Sequence, residues 1–226
     1  VTAYAFPLRR FFRWAFVLPL AIPPYIAAYT YSTMLSYTGV VQKVLRNTLG
    51  INVNPKYLDI MTLEGAVMIF TLFLFPYVYL ITRTFFERQS AVFIENARLL
   101  GKNSWQIFFQ VVLPISRAAI VGGVSLVIFE VLNDYGVVSY FGLQTFSTAI
   151  FQTWFGMYDV DSAIRLAALL MSAVILLIMI EKLLRQRVRF TSTTSKTRPL
   201  ALKKLTGLSA LAAFAFCLLV FALSFL

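Results

Sequence analysis

The strongest constraint on this chain is a set of long runs without a single charge. Residues 65–82 read GAVMIFTLFLFPYVYLIT, and residues 205–226 carry no acidic or basic side chain either. About 20 apolar residues in a helix span the roughly 30 Å hydrocarbon core of a bilayer. Inside hydrocarbon every backbone N–H and C=O needs an internal partner, which a helix supplies from its own segment. Composition agrees, since 60% of the residues are hydrophobic and 13% charged, where a soluble domain carries about a quarter charged. The expected fold class is an all-α, polytopic transmembrane helical bundle.

Five runs fit spans. The first covers about 12–32 and contains Pro19, Pro23 and Pro24. Proline removes a backbone donor and clashes with the preceding turn, so this helix is expected to be kinked or broken. A broken helix at Pro23, Pro24 and Tyr25 would suit the edge of a substrate cavity, and a packing kink explains it equally well. The others are about 65–82, with Pro76 in its second half, then 118–135, 163–181 and 205–226.

Orientation follows from the basic residues. The stretches 1–13, 83–117 and 182–204 hold 16 of the 20 Lys and Arg, whereas 33–65 and 136–162 hold three between them. Lys and Arg are retained on the cytoplasmic side, so the first set is expected there. The net charge of +11 is thereby explained by the lipid bilayer as partner, with no nucleic acid. The basic linker 182–204 reads as topology-fixing charge, with anionic headgroups as a further reading. The chain begins on Val1 and stops on Leu226 inside an apolar run, so a fragment of a longer polypeptide is expected.

Some chemistry is excluded early. The chain has no histidine and one cysteine, Cys217. That removes the commonest general base and metal ligand and any thiolate cluster. No metal site, cofactor or catalytic residue is expected. GKNS at 101–104 is not a phosphate loop, because Asn96 stands where that motif needs glycine.

Between two apolar runs lies the polar segment ENARLLGKNSWQIFFQVVLP, residues 95–114. Phe93, Ala97 and Leu100 recur at helical spacing, with Glu95 and Arg98 elsewhere on the surface. Gly101 suits the left-handed residue that ends a helix. Asn103 or Ser104 can cap a second helix, which carries Trp105, Phe108, Phe109 and Val112 and is expected to close at Pro114. The segment reads as two short cytoplasmic helices at an angle, with apolar faces that need a partner surface.

Glu95, Ala97, Gly101 and, nine residues later, Val111-Val112-Leu113-Pro114 give this segment a resemblance to the cytoplasmic EAA loop of binding-protein-dependent ABC importer permeases. Asn96 replaces the second alanine of that pattern and Val111 its isoleucine. FPLRRFFRW at 6–14, LPLAIPPYIAAYTYSTML at 18–35 and LFPYVYLITRTFFERQ at 74–89 resemble the iron(III) permeases of the superfamily, and the similarity covers about 1–190. The resemblance implies a Type I ABC importer permease core in a bacterial inner membrane. Residues 1–181 would be the core, 182–204 the linker, and 205–226 the first helix of a truncated second half. It implies partners too: a separate ABC ATPase dimer, which carries out ATP hydrolysis, and a periplasmic solute-binding protein that delivers ferric iron. Sulfate, molybdate, polyamine or phosphonate uptake, or a scaffold or channel without ATPase coupling, are the alternatives. The implied coupling residues are Glu95, Ala97, Gly101, Trp105, Phe108, Leu113 and Pro114. Glu130 and Asn133, ionisable or polar near the end of the third span, are expected on the translocation path with Pro23 and Tyr25. An ion pair of Glu130 with Arg165 is the plainer alternative.

Overall fold

The computed structural model describes residues 4–88, 92–186, 203–205 and 207–225, and most of the linker 182–204 lies outside them. The elements run β1 (Tyr4–Ala5), α1 (Arg9–Ala15), α2 (Pro24–Leu35), α3 (Val40–Thr48), α4 (Leu63–Arg88), α5 (Val92–Leu99) and α6 (Ser104–Ile107). Then come α7 (Leu113–Asn133), α8 (Gly136–Tyr140), α9 (Phe146–Phe151), α10 (Val160–Gln186), β2 (Lys203–Lys204) and α11 (Leu208–Phe225). Among the described residues, four stretches are long and apolar enough to cross a membrane: Leu63–Glu87, Ser104–Asn133, Val160–Leu183 and Leu208–Phe225. The fold is all-α and polytopic, as expected.

The proline-rich first run is in pieces. After α1 comes a single 3₁₀ turn, Leu18–Ala21, and α2 then starts at Pro24 with Pro23 extended before it. A residue preceding proline is pushed out of the helical region, and proline at the first helical position gives up no hydrogen bond. Pro76, by contrast, lies inside a continuous α4. That helix outruns the apolar stretch 65–82, and within the added turns Arg83 and Glu87, one turn apart, pair at 2.9 Å.

Pro114 does not close the second polar helix. Residues 104–133 form one unbroken helical stretch, in which the turn Phe108–Val112 is π-helical and the Leu113 N–H reaches the Phe108 carbonyl. A proline inside a regular α-helix would clash with the carbonyl one turn back. The wider π turn absorbs the misfit, and Pro114 falls in the first turn of α7, where its missing N–H costs little.

The chain forms two compact units. The first comprises residues 1–19, 76–127 and 177–226. In it, Phe12 is fully buried and meets Phe214 edge-on at 5.8 Å, and Phe11 meets Phe221 at 5.5 Å, so α1 lies on α11. Gly123 faces the backbone of Val78 so closely that a Cβ there would stand 2.7 Å from its Cα. Small residues at such crossings let membrane helices approach until dispersion contacts form. β1 and β2 pair in parallel.

The second unit comprises residues 20–75 and 128–176. Its core is Ala27 and Ala28 of α2, Ile69 and Phe73 of α4, and Val137 of α8. Tyr31 packs edge-on against Phe73 at 6.0 Å. The Ser32 and Tyr140 hydroxyls bond at 2.8 Å, and Tyr25 fills the space beside Gly136. Most of α10 in this unit is exposed along its apolar side chains, as a lipid-facing helix requires.

Candidate functional site: a two-helix elbow

The elbow belongs to the first unit. It starts with α5, whose first turn carries the half-buried Glu95, a favourable place for a carboxylate at the positive end of a helix. Gly101 ends α5 in the left-handed region, with φ +76°. The Lys102 N–H donates to the Ala97 carbonyl at 3.1 Å and the Gly101 N–H to the Arg98 carbonyl at 2.9 Å. This paired closure satisfies the last carbonyls of the helix and turns the chain sharply. No atom lies where a Cβ on Gly101 would stand, so the backbone angle alone demands glycine.

The next helix opens with a reciprocal cap. The Asn103 side chain accepts from the Gln106 N–H at 2.9 Å, while the Gln106 side chain accepts from the Asn103 N–H at 3.0 Å. Two orphan donors are satisfied at once. α6 then passes through the π turn into α7, so the second arm of the elbow is continuous with the helical stretch 104–133.

The elbow has a buried side and an open side. Ala97 is 5% exposed and Ile107 7%. Ile107 is a residue that sequence reasoning missed; the signal was its place between two aromatic neighbours of the opposite face. On the open side Leu100 is 79% exposed and Trp105 73%, with Leu99, Phe108, Phe109 and Leu113 also exposed. Leu100 therefore does not share the buried face with Ala97. The Trp105 and Phe109 rings stack at 5.5 Å, and Phe108 meets Phe109 edge-on at 5.0 Å. Pro114 is exposed beside Leu113. Trp105, Phe108 and Phe109 thus form one contiguous exposed aromatic patch.

The expected path residues Pro23, Tyr25, Glu130 and Asn133 all lie in the second unit. Pro23 precedes α2 as its cap residue, its carbonyl accepting from the Ile26 N–H at 3.0 Å. Tyr25 packs at Gly136. Asn133 donates to the Phe129 carbonyl of its own helix at 2.8 Å. Glu130 is exposed and makes no ion pair among the described residues, with Arg165 or otherwise. Asp134 caps α8, accepting from the Val137 N–H at 2.9 Å. Its burial pushes the carboxyl above its usual range, against the lowering effect of the N–H groups of Val137 and Val138.

A cavity of about 510 Å³ opens in the same unit, lined by Ser32, Thr33, Ser36, Gln42, Lys56 and Tyr140 together with apolar Leu35, Leu58, Ile60 and Met61. None of the expected path residues borders it. Its hydroxyls come mostly from the run TYSTMLSY, which straddles the expected end of the first span and the loop after it. Among the described residues, no three acidic or thiol side chains converge as a metal site requires.

Several apolar helices long enough to cross a bilayer define a polytopic integral membrane protein. Residues 2–190 match the family of binding-protein-dependent transport system inner membrane components, and the chain belongs to that family. It is 30% identical over 204 residues to the Fe(3+)-transport system permease protein FbpB 2 of Haemophilus influenzae, covering 90% of this chain and 36% of that protein. It is 26% identical over 119 residues to the molybdenum transport system permease protein ModB of the same organism, 53% of this chain and 49% of the relative. The spermidine/putrescine transport system permease protein PotB, also from Haemophilus influenzae, is 30% identical over 127 residues, 56% and 43%. The chain thus spans between about a third and a half of the length of these relatives.

Proposed function

We propose that this chain is the membrane-spanning permease part of an ATP-driven importer. ATP hydrolysis takes place on a separate ABC ATPase dimer, and a periplasmic solute-binding protein delivers the cargo. The observation that carries the reading is the elbow at 95–114, with its aromatic side open and its second helix continuous with a span. Such a part converts a push on Trp105 and Phe108 into tilt of α7, because helical hydrogen bonding runs on through the π turn into the span. Alternating access of the spans follows from that tilt, with no catalytic residue in this chain. Glu130, Asn133, Pro23 and Tyr25 remain proposed as path residues; normal uptake by Glu130→Gln would remove Glu130 from the path.

The cargo we propose is ferric iron, supported by the similarity to an Fe(3+) permease over most of this chain. Molybdenum and polyamine permeases are also similar and supply the second reading. Two measurements test the whole. With Cys217 replaced by Ser, a Phe108→Cys variant should crosslink to the ATPase subunit in membranes, and absence of crosslinking in every nucleotide state overturns the coupling role. Uptake of radioactive ferric iron, undiminished by excess molybdate or spermidine, is the expected cargo result; competition by either reassigns the substrate.

A further inference from the structure

The last carbonyls of a helix lack an internal donor. In α1 the Arg13 carbonyl is one of these, since the Val17 N–H turns instead to the Trp14 carbonyl at 2.9 Å. Its donors come from α4. The Arg83 guanidinium donates to it at 2.9 Å and the Tyr79 hydroxyl at 3.2 Å. A cation at the negative end of a helix is favourably placed.

Arg83 is itself held. Its side chain is 9% exposed, and its Nε donates to Glu87 at 2.9 Å. The same Glu87 oxygen receives the Arg13 side chain at 2.8 Å. The guanidinium lies over the Trp14 ring, 5.6 Å from its centroid, and near the Tyr79 ring at 5.9 Å. Arg83 therefore fastens α1 to α4 through its carbonyl, its aromatic neighbour and, by way of Glu87, its charged side chain. Arginine suits this role because its rigid fork of donors serves several acceptors at once. The fastening sits at the end of α4 that leads into the elbow, with α5 beginning four residues after Arg88.

We infer that Arg83 and Glu87 are positioning residues for transport: they lock α1 to α4 beside the elbow, so that α1 moves with it as one body. The inference rests on the importer reading. Without the lock, force at the elbow would be spent in sliding α4 past α1. ATP would still be hydrolysed and cargo would not follow.

The test uses the complete transporter with its ATPase and binding protein in proteoliposomes, measuring ATP hydrolysis and uptake together. Glu87→Gln leaves two guanidinium groups without their shared carboxylate, and Arg83→Lys keeps one donor and loses the fork. Each is expected to assemble at the wild-type yield and to hydrolyse ATP within about twofold of wild type. Uptake per ATP is expected to fall about fivefold or more. An Arg13→Ala variant, which keeps the carbonyl that Arg83 caps, is expected to lose less than either. The lock is overturned if uptake per ATP is unchanged in both variants, or if uptake and hydrolysis fall in proportion. It is equally overturned if Arg83→Leu fails to assemble while Arg83→Lys and Glu87→Gln transport normally, because the cluster would then serve packing alone. Failure of the importer reading looks different, since wild-type protein would then show no ATP-dependent uptake.

Discussion

Two short regions use the same local devices to opposite ends. At 103–112 a reciprocal cap, Asn103 with Gln106, opens α6 and is followed by a π turn. At 145–156 another reciprocal cap, Thr145 with Thr148, opens α9 and is again followed by a π turn. Both carry aromatics, Trp105, Phe108 and Phe109 in the first and Trp154 and Phe155 in the second. The two part company beyond the π turn. After Val112 the helix continues into α7 without interruption. After Gly156 it stops: Tyr158 adopts φ +56°, and Asp159 starts α10 afresh by accepting from the Ser162 N–H at 3.0 Å. On the proposed coupling role, the first region would transmit movement into a span, and the break after the second would isolate its span from whatever touches the aromatics. Charge divides them as well, with Arg98 and Lys102 beside the first and no basic residue in 136–162.

The most severe test of this contrast removes the aromatic anchors of the first region. Trp105→Ala with Phe108→Ala should abolish capture of the ATPase subunit, since buried aromatic anchors contribute about 2–4 kcal/mol each to an interface. Trp154→Ala with Phe155→Ala should leave that capture intact, and co-purification reads both. Next in size is a mechanical test. Two glycines inserted between Val112 and Leu113 should leave ATPase binding in place and cut uptake about tenfold or more, as each interior glycine weakens a helix by about 1 kcal/mol. The same insertion after Met157 should be tolerated, because the helix is already interrupted there. Equal loss at both places would erase the distinction.

Gly101→Ala comes third. A left-handed backbone costs a residue with a Cβ about 1–2 kcal/mol, so the elbow should open and uptake fall while span integrity, read by thermal unfolding in detergent, changes little. The smallest effect concerns the caps and pH. Asp134→Asn keeps the acceptor for the Val137 N–H and removes a partly buried charge, so the change should stay under about 1 kcal/mol. Its sign depends on pH. The folded carboxyl titrates above its unfolded value, so its contribution is fully present below the unfolded pKa and is lost as pH rises through the folded one. Wild type should therefore lose ground to Asp134→Asn as melts are taken from acid toward neutral pH. A difference independent of pH would show that Asp134 acts as a cap alone.

Much of this was legible in the residues. Charge-free runs force helices, because the bilayer offers no other partner for the backbone. Gly101 announced a left-handed turn, since few other residues accept that angle cheaply, and Asn103 or Ser104 announced a cap, of which the structure uses Asn103. The break at Pro23-Pro24 followed from the proline ring. Pro114 was misleading: its effect depends on whether the preceding turn widens, and the sequence carries no separate mark for a π turn. The open face of the elbow was half legible, with Trp105 and Phe108 in view and Ile107 out of sight, because helical spacing does not say which face the rest of the protein covers.

By itself, then, the sequence determined the helices, their polar ends and the sites of their sharp turns, all of which arise from interactions within about one turn of chain. Tertiary structure decided what distant residues do to one another. It brought Arg83 to the orphan carbonyl of Arg13 across 70 residues, set Gly123 against Val78, and left Trp105 open while closing Ile107. Those outcomes depend on shape and distance between helices, which no local pattern records.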